Sequence, residues 1–259
     1  MKYCRFQSPD GPRFGLIENQ QIVQAAADAA VPDFSRAQKI APVALNSAQL
    51  LSPVQPSKII CVGRNYSEHA KELGNEVPAE PLIFLKPPSS MIGPGDTILR
   101  PKSLSQRVDY EGELAVVIGK RCRGLKPQDD VRPFILGYTC ANDVTARDLQ
   151  KKDGQWTRGK SFDTFCPVGP LVTDEIDPWA GVRVETRLNG EVKQSESTTA
   201  FIFPVDVVLR FASQVMTLLP GDIILTGTPA GIGPMVAGDR LRVSIEGIGV
   251  LENPVQDGD

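Results

Sequence analysis

Two acidic residues two positions apart open the chemistry of this chain. Glu111 and Glu113 lie in the run DYEGELAVVIGK (109–120). In an extended strand, residues two apart share a face, so both carboxylates point the same way. The residues after them are apolar on both faces, as in a strand entering the core. Two carboxylates in a drying environment repel each other, and burying either unpaired is costly. A hard divalent cation resolves that repulsion, because Mg²⁺ and Mn²⁺ favour carboxylate oxygens; a solvated strand edge with two exposed glutamates is the plain alternative. A third carboxylate, Asp143, follows an apolar run at 135–141. Strand ends are where sheet-based sites are assembled, yet Asp143 is equally suited to cap the helix that follows. The residues alone leave both readings open.

The only histidine is His69, in a short helical stretch with Ser67 as candidate cap. Glu72 falls three residues later and is its neighbour on a helix. A carboxylate beside imidazole fixes its tautomer and raises its basicity, as a general base requires; an exposed charged helix would carry the same pair without function. The flanks 63–65 and 74–76 contain Gly and Asn residues that suit hinges, so this helix is expected to be mobile without substrate. No Gly-x-Ser-x-Gly elbow is present to offer a nucleophilic serine. Lys160 sits between a glycine and an aromatic-flanked turn and reads by itself as a surface lysine. The loop at 225–233 follows a buried run, and its N–H groups could hold an anion. It is neither a P-loop nor a GxGxxG fingerprint, so nucleotide binding is unsupported.

The elements that must position these groups are mostly strands. Short apolar or alternating runs bounded by Gly, Pro or Asn occur at 3–6, 13–17, 58–62, 82–85, 114–118, 135–141, 182–188, 222–226 and 241–245. Helices are expected at 67–73, 144–152 and 204–218, the last with Val205, Val208, Leu209, Ala212, Val215 and Met216 on one face. With 23 Gly and 22 Pro in 259 residues, coiled coils and helical bundles are excluded and a mixed, mostly β architecture is favoured. Residues 1–56 read as a small N-terminal domain and 57–259 as the catalytic one. A net charge of −3 gives no drive toward nucleic acid or an anionic membrane, so the partner is expected to be a small molecule. Five cysteines without a CxxC pair suggest neither disulfides nor a zinc site. The start of the chain carries Lys2, Arg5, Asp10 and Arg13 with no apolar run between them, unlike a signal peptide. A cytoplasmic location is expected.

These pieces occur together in one order in a known family. From about 58 to 250 the chain resembles the fumarylacetoacetate hydrolase (FAH) family, especially its short acylpyruvase and oxaloacetate decarboxylase-like members. The resemblance rests on CVGRNYSEHAKE (61–72), DYEGELAVVIGK (109–120), NDVTARDLQ (142–150), GKSFDTFCPVGP (159–170) and GDIILTGTPAGIGP (221–234). It implies a rolled mixed β-structure, a homodimer, and Mg²⁺ or Mn²⁺ held by Glu111, Glu113 and Asp143. It also implies a His69–Glu72 dyad in a lid that orders over substrate, a catalytic Lys160, and substrate-binding roles for Arg64, Arg147, Gln150 and Thr228. Gly112 stands where relatives often carry an apolar residue, and is expected to loosen the strand slightly. The implied chemistry is C–C bond hydrolysis of acylpyruvate-type 1,3-dicarbonyl acids, with oxaloacetate decarboxylation supported by the same chelate. The alternatives are oxaloacetate keto–enol tautomerisation or isomerisation of 2-hydroxyhepta-2,4-diene-1,7-dioate type. A catalytically inactive ligand-binding dimer is disfavoured by the presence of His69, Glu72 and Lys160.

Overall fold

The fold is built around a strand that is buried on both faces. In the computed structural model, which describes residues 1–72, 74 and 76–259, all of Gly112–Ile118 is buried, as its unbroken apolar run requires. Antiparallel neighbours Ile135–Asn142 and Ile223–Leu225 flank it, with Gly112 opposite Asn142 and Ala115 opposite Leu225. Ile223–Leu225 in turn runs parallel to Ile59–Gly63. These directions matter for the site. Parallel pairing brings the C-terminal ends of Ile59–Gly63 and Ile223–Leu225 together, and the antiparallel strands add Gly112 and Asn142 to the same edge.

Among the described residues the strands form sheets of twelve, five and three. The main path of the largest runs Gln38–Ala44, Gln21–Ala26, Gly11–Glu18, Lys2–Ser8, Cys166–Thr173, Ile135–Asn142, Gly112–Ile118, Ile223–Leu225, Ile59–Gly63, Leu82–Lys86. The first four come from the N-terminal segment, joined through Lys2 opposite Thr173, and Cys4, Phe6 and Ile22 share a core cluster with Leu114 and Val116. The five-stranded sheet, ordered Glu191–Ser197, Arg183–Leu188, Arg240–Ile245, Gly249–Gly258, Ile98–Pro101, packs over the acid-bearing strand. The mostly β reading of the sequence holds, and no helix among the described residues is long and apolar enough to cross a membrane.

Several elements differ from the sequence reading for identifiable reasons. The expected helix at 144–152 begins only at Arg147, because Thr145–Ala146 pairs with Val108 and Asp109. Ala146 occupies the cap position, so Asp143 is not a helix cap. The C-terminal helix is Val205–Val215, with Pro204 as its cap residue; Val215 is exposed, not buried as its spacing suggested. Cys166–Thr173, not among the expected strands, is a central strand despite Pro167, Gly169 and Pro170. The expected helix end at Leu73 and the expected hinge residue Asn75 lie outside the described residues.

Gly112 does not loosen its strand. A Cβ there would lie 2.0 Å from Thr186 Oγ1 and 3.2 Å from Val243 Cγ2, so the glycine is what lets the two sheets approach. Gly112→Ala is therefore expected to lower stability by about 1–3 kcal/mol through overpacking. Thermal melts of Gly112→Ala, Thr186→Ala and the double variant check this. The double variant should recover most of the loss, whereas simple additivity would mean that the two side chains do not collide.

Candidate active site

Four carboxylates converge where those strand ends meet. Asp109, Glu111, Glu113 and Asp143 are each at most 4% exposed. Oxygens of Glu111, Glu113 and Asp143 lie within 4.8 Å of one another, a group that can hold a divalent metal. The backbone aims them: Asn142 Oδ1 accepts from the Glu111 N–H at 2.9 Å, and the Asp143 N–H donates to Glu111 O at 2.8 Å.

Three buried cations answer most of this charge. Lys160 Nζ donates to Glu111 Oε2 at 2.8 Å and Asp143 Oδ2 at 2.6 Å. Lys86 Nζ reaches Asp143 Oδ1 at 2.7 Å and Val144 O at 3.2 Å. Arg147 bridges Asp109, at 2.9 Å through Nε, and Glu111 through Nη2. Burial works against charge on Glu111, but Lys160 and Arg147 outweigh it and hold that carboxyl well below its usual range. Burial likewise works against charge on Lys160, and Asp143 and Glu111 together overcome it, so Lys160 remains an ammonium. Glu113 differs. It accepts from the Gly227 N–H at 2.6 Å, and burial together with the charges of Asp143 and Glu111 pushes its pKa well upward. A dry, oxygen-only set with one carboxylate short of positive charge fits a hard divalent cation.

The dyad faces the same space. His69 Nδ1 lies 3.2 Å from Glu72 Oε2, and the Gly231 N–H donates to both Glu72 oxygens at 3.1 and 3.2 Å. The short helix Ser67–Glu72 packs against the body: Ala70 is fully buried, and Tyr66 meets Phe201 edge-on at 5.0 Å between ring centroids. Asn65 donates to Phe203 O and Thr226 O and accepts from the Phe203 N–H, which ties it to the body.

A cavity of about 350 Å³ joins these groups. Arg64, His69, Glu111, Glu113, Asp143, Arg147, Gln150, Lys160 and Thr228 all line it, together with Phe84 and Trp156, while Glu72 stands behind His69. Lys160 closes the short helix Thr157–Lys160, 98% buried, with its ammonium 5.1 Å from the Phe84 ring centroid. Gln150 Oε1 accepts from Arg147 Nη1 at 2.6 Å, which leaves its NH₂ group for a ligand. Thr228 donates its hydroxyl to Gly112 O at 2.8 Å and accepts from Gln194 Nε2 at 2.7 Å, so that hydroxyl fastens the loop to the acid strand.

Sequence reasoning missed Lys86, Asp109, Gln194 and Trp156. Asp109 was within the quoted acidic motif, two residues before Glu111, and its alternation with it was a usable signal. Gln194 donates to Pro229 O and accepts from the Gly112 N–H across the two sheets, and nothing near it in sequence announces that role.

Known proteins share this architecture. A profile described as fumarylacetoacetate (FAA) hydrolase C-terminal matches residues 58–256, and one described as Rv2993c-like, N-terminal, matches residues 1–53. The mitochondrial oxaloacetate tautomerase of Xenopus laevis is 42% identical over 290 residues, covering 98% of this chain and 90% of that one. The crystal structure of 5-carboxymethyl-2-hydroxymuconate delta-isomerase from Mycobacterium smegmatis is 41% identical with a TM-score of 0.89, covering both chains completely. Maleylpyruvate hydrolase from Sphingobium sp. SYK-6, solved with manganese(II) and pyruvate, is 33% identical with a TM-score of 0.82, again over both whole chains. With the profile matching from residue 58 to 256 on top of these likenesses, the chain belongs to the fumarylacetoacetate hydrolase family of enzymes.

Proposed function

We propose that this enzyme moves a proton at the carbon beside the ketone of a small 2-oxo acid, interconverting keto and enol forms as in oxaloacetate tautomerisation. The observation that carries this reading is the only histidine, 4% exposed in the wall of the cavity that Glu111 also lines, and braced by Glu72. Likeness to the Xenopus tautomerase along nearly the whole chain supports it.

Glu111, Glu113 and Asp143 would hold the divalent cation, Mg²⁺ or Mn²⁺. When bound, such a cation would supply positive charge that attracts the carboxylate–ketone end of a 2-oxo acid and acidifies the adjoining C–H. Glu72 at Nδ1 fixes the tautomer in which Nε2 of His69 is the basic atom turned to substrate. His69 takes the carbon-bound proton and returns it, and Glu72 stabilises the imidazolium in between. Lys160 keeps its charge and has a third N–H beyond the two given to Glu111 and Asp143, which stabilises negative charge growing on oxygen. Arg147 is pinned between Asp109 and Glu111 and orients Gln150 toward the substrate. The working unit in this proposal is a homodimer, checked by its mass in solution.

C–C bond hydrolysis is a second reading, favoured by the likeness to maleylpyruvate hydrolase and by a His–Glu pair equally suited to activating water. Purified enzyme with Mg²⁺ is offered oxaloacetate and acetylpyruvate, and enol absorbance, pyruvate and CO₂ are followed separately. Fast enol–keto exchange without pyruvate or CO₂ is the expected result. Rapid release of pyruvate from acetylpyruvate would favour hydrolysis, and CO₂ from oxaloacetate would favour decarboxylation.

Two further outcomes are expected. His69→Gln should lower kcat by about 10²–10⁴-fold while leaving the melting temperature close to wild type. Glu72→Gln should follow it more weakly, since geometry survives and charge does not. Exhaustive chelation, Glu111→Gln or Asp143→Asn should each reduce turnover to background, and Mg²⁺ or Mn²⁺ should restore only the chelated wild type. Full activity in metal-free protein would exclude the cation.

A further inference from the structure

Arg64 is a half-buried cation on the cavity wall with no counter-ion among the described residues. Lys86, Arg147 and Lys160 are each paired with a buried carboxylate. Among the described residues Arg64 has no such pair, although it lines the same cavity and is half-buried. Its backbone is held at φ 57°, the left-handed region that a non-glycine residue enters only when its surroundings impose it. The imposition is visible on both sides. Asn65 is locked by its three hydrogen bonds, and Gly63 packs so closely on Trp156 that a Cβ would lie 2.6 Å from the indole ring. The guanidinium then sits 5.9 Å from the Trp156 ring centroid, and Trp156 is itself braced edge-on by Phe84 at 5.1 Å. A backbone held in that region, an aromatic platform and a cation without an anion describe a group oriented in advance for a ligand.

Charge counting points to the ligand. Among the buried groups, four carboxylates face three cations, which leaves one negative charge in excess. Arg107, half exposed beside Asp109, and Glu72, partly exposed behind His69, carry opposite charges and cancel in the sum. A divalent cation turns that excess into one positive charge, and Arg64 raises it to two. A dianion balances it.

We infer that Arg64, stacked on Trp156, is a specificity-determining residue that binds a second carboxylate, remote from the carboxylate–ketone end, so that the preferred substrates are short 2-oxo dicarboxylates. This deepens the reading given under Proposed function and rests on its placement of the carboxylate–ketone end. Lys151, also on the cavity wall but exposed, is the competing reader of that carboxylate.

The test is calorimetric binding to the Mg²⁺-loaded enzyme with probes that cannot enolise, with CO₂ release followed to show that 3,3-difluorooxaloacetate stays intact. Oxalate carries only the carboxylate–oxo end, whereas 3,3-difluorooxaloacetate carries both carboxylates and has no C3 hydrogen to lose. Arg64→Asn is the informative variant, because asparagine tolerates the left-handed backbone best. It should weaken difluorooxaloacetate by about 10–100-fold, the range of a lost charge-assisted hydrogen bond, and change oxalate by less than about threefold. Arg64→Lys should recover part of the loss. The wild-type enzyme offers a check independent of folding: esterifying the distal carboxylate of the probe should weaken it by a similar factor. Equal weakening of both probes, an ester that binds as well as the acid, or a loss that follows Lys151→Ala instead would each overturn the assignment. Discrimination between the probes without any tautomerase turnover would overturn the proposed reaction and leave Arg64 as the reader of the second carboxylate. Turnover without discrimination would do the reverse.

Discussion

Asp109, Glu111, Glu113 and Asp143 are brought out of water at a single point, and much of the surrounding architecture answers the electrostatic cost of doing so. An isolated buried carboxylate is destabilising by several kcal/mol or takes up a proton. Here the counter-charges come from distant stretches of chain: Lys86 is 57 residues from Asp143, Lys160 is 49 from Glu111, and Arg147 is 36 from Glu111. Such pairs add little net stability over an apolar core, but removing one partner leaves an uncompensated buried charge at a cost of about 3–5 kcal/mol. Glu113 stands apart: among the described residues a backbone N–H is the one donor on its carboxylate, which leaves that side of the cluster for a cation.

The second constraint is mechanical. The loop after Ile223–Leu225 touches both the acid strand and the dyad: Gly227 holds Glu113, Thr228 holds the carbonyl of Gly112, and Gly231 holds Glu72 behind His69. Gln194 reaches across from the second sheet to fasten the same loop to Gly112. Acid cluster and dyad are thus tied to one short segment, and the close approach at Gly112 makes that tie possible. Tyr110 completes it by donating to Gly231 O at 3.0 Å.

Strand direction explains why these segments meet. Because Ile59–Gly63 and Ile223–Leu225 run parallel, the chain that leaves the first toward Arg64 and His69 emerges beside the loop that leaves the second. Ligand sites gather outside strand ends for this reason: the sheet supplies rigid starting points, and the departing loops supply the chemistry.

The amino-acid sequence determined the local part of this by itself. The spacing of Glu111 and Glu113, the position of Asp143 after an apolar run, the neighbourhood of His69 and Glu72, and the apolar stripe of Val205–Val215 all follow from periods of two or 3.6 residues that any short window contains. Only the tertiary structure decided the rest. It turned Asp143 from a possible helix cap into the partner of two lysines, because pairing of Thr145–Ala146 with Val108 and Asp109 delays the helix to Arg147. It buried Lys160, which in its own stretch looks like any surface lysine, and it recruited Lys86 and Gln194, whose neighbours carry no sign of their partners. It also made Gly112 a point of contact between sheets rather than a loosened strand. Charge pairing, desolvation and close approach act through space between residues far apart in the chain, so no local pattern records them.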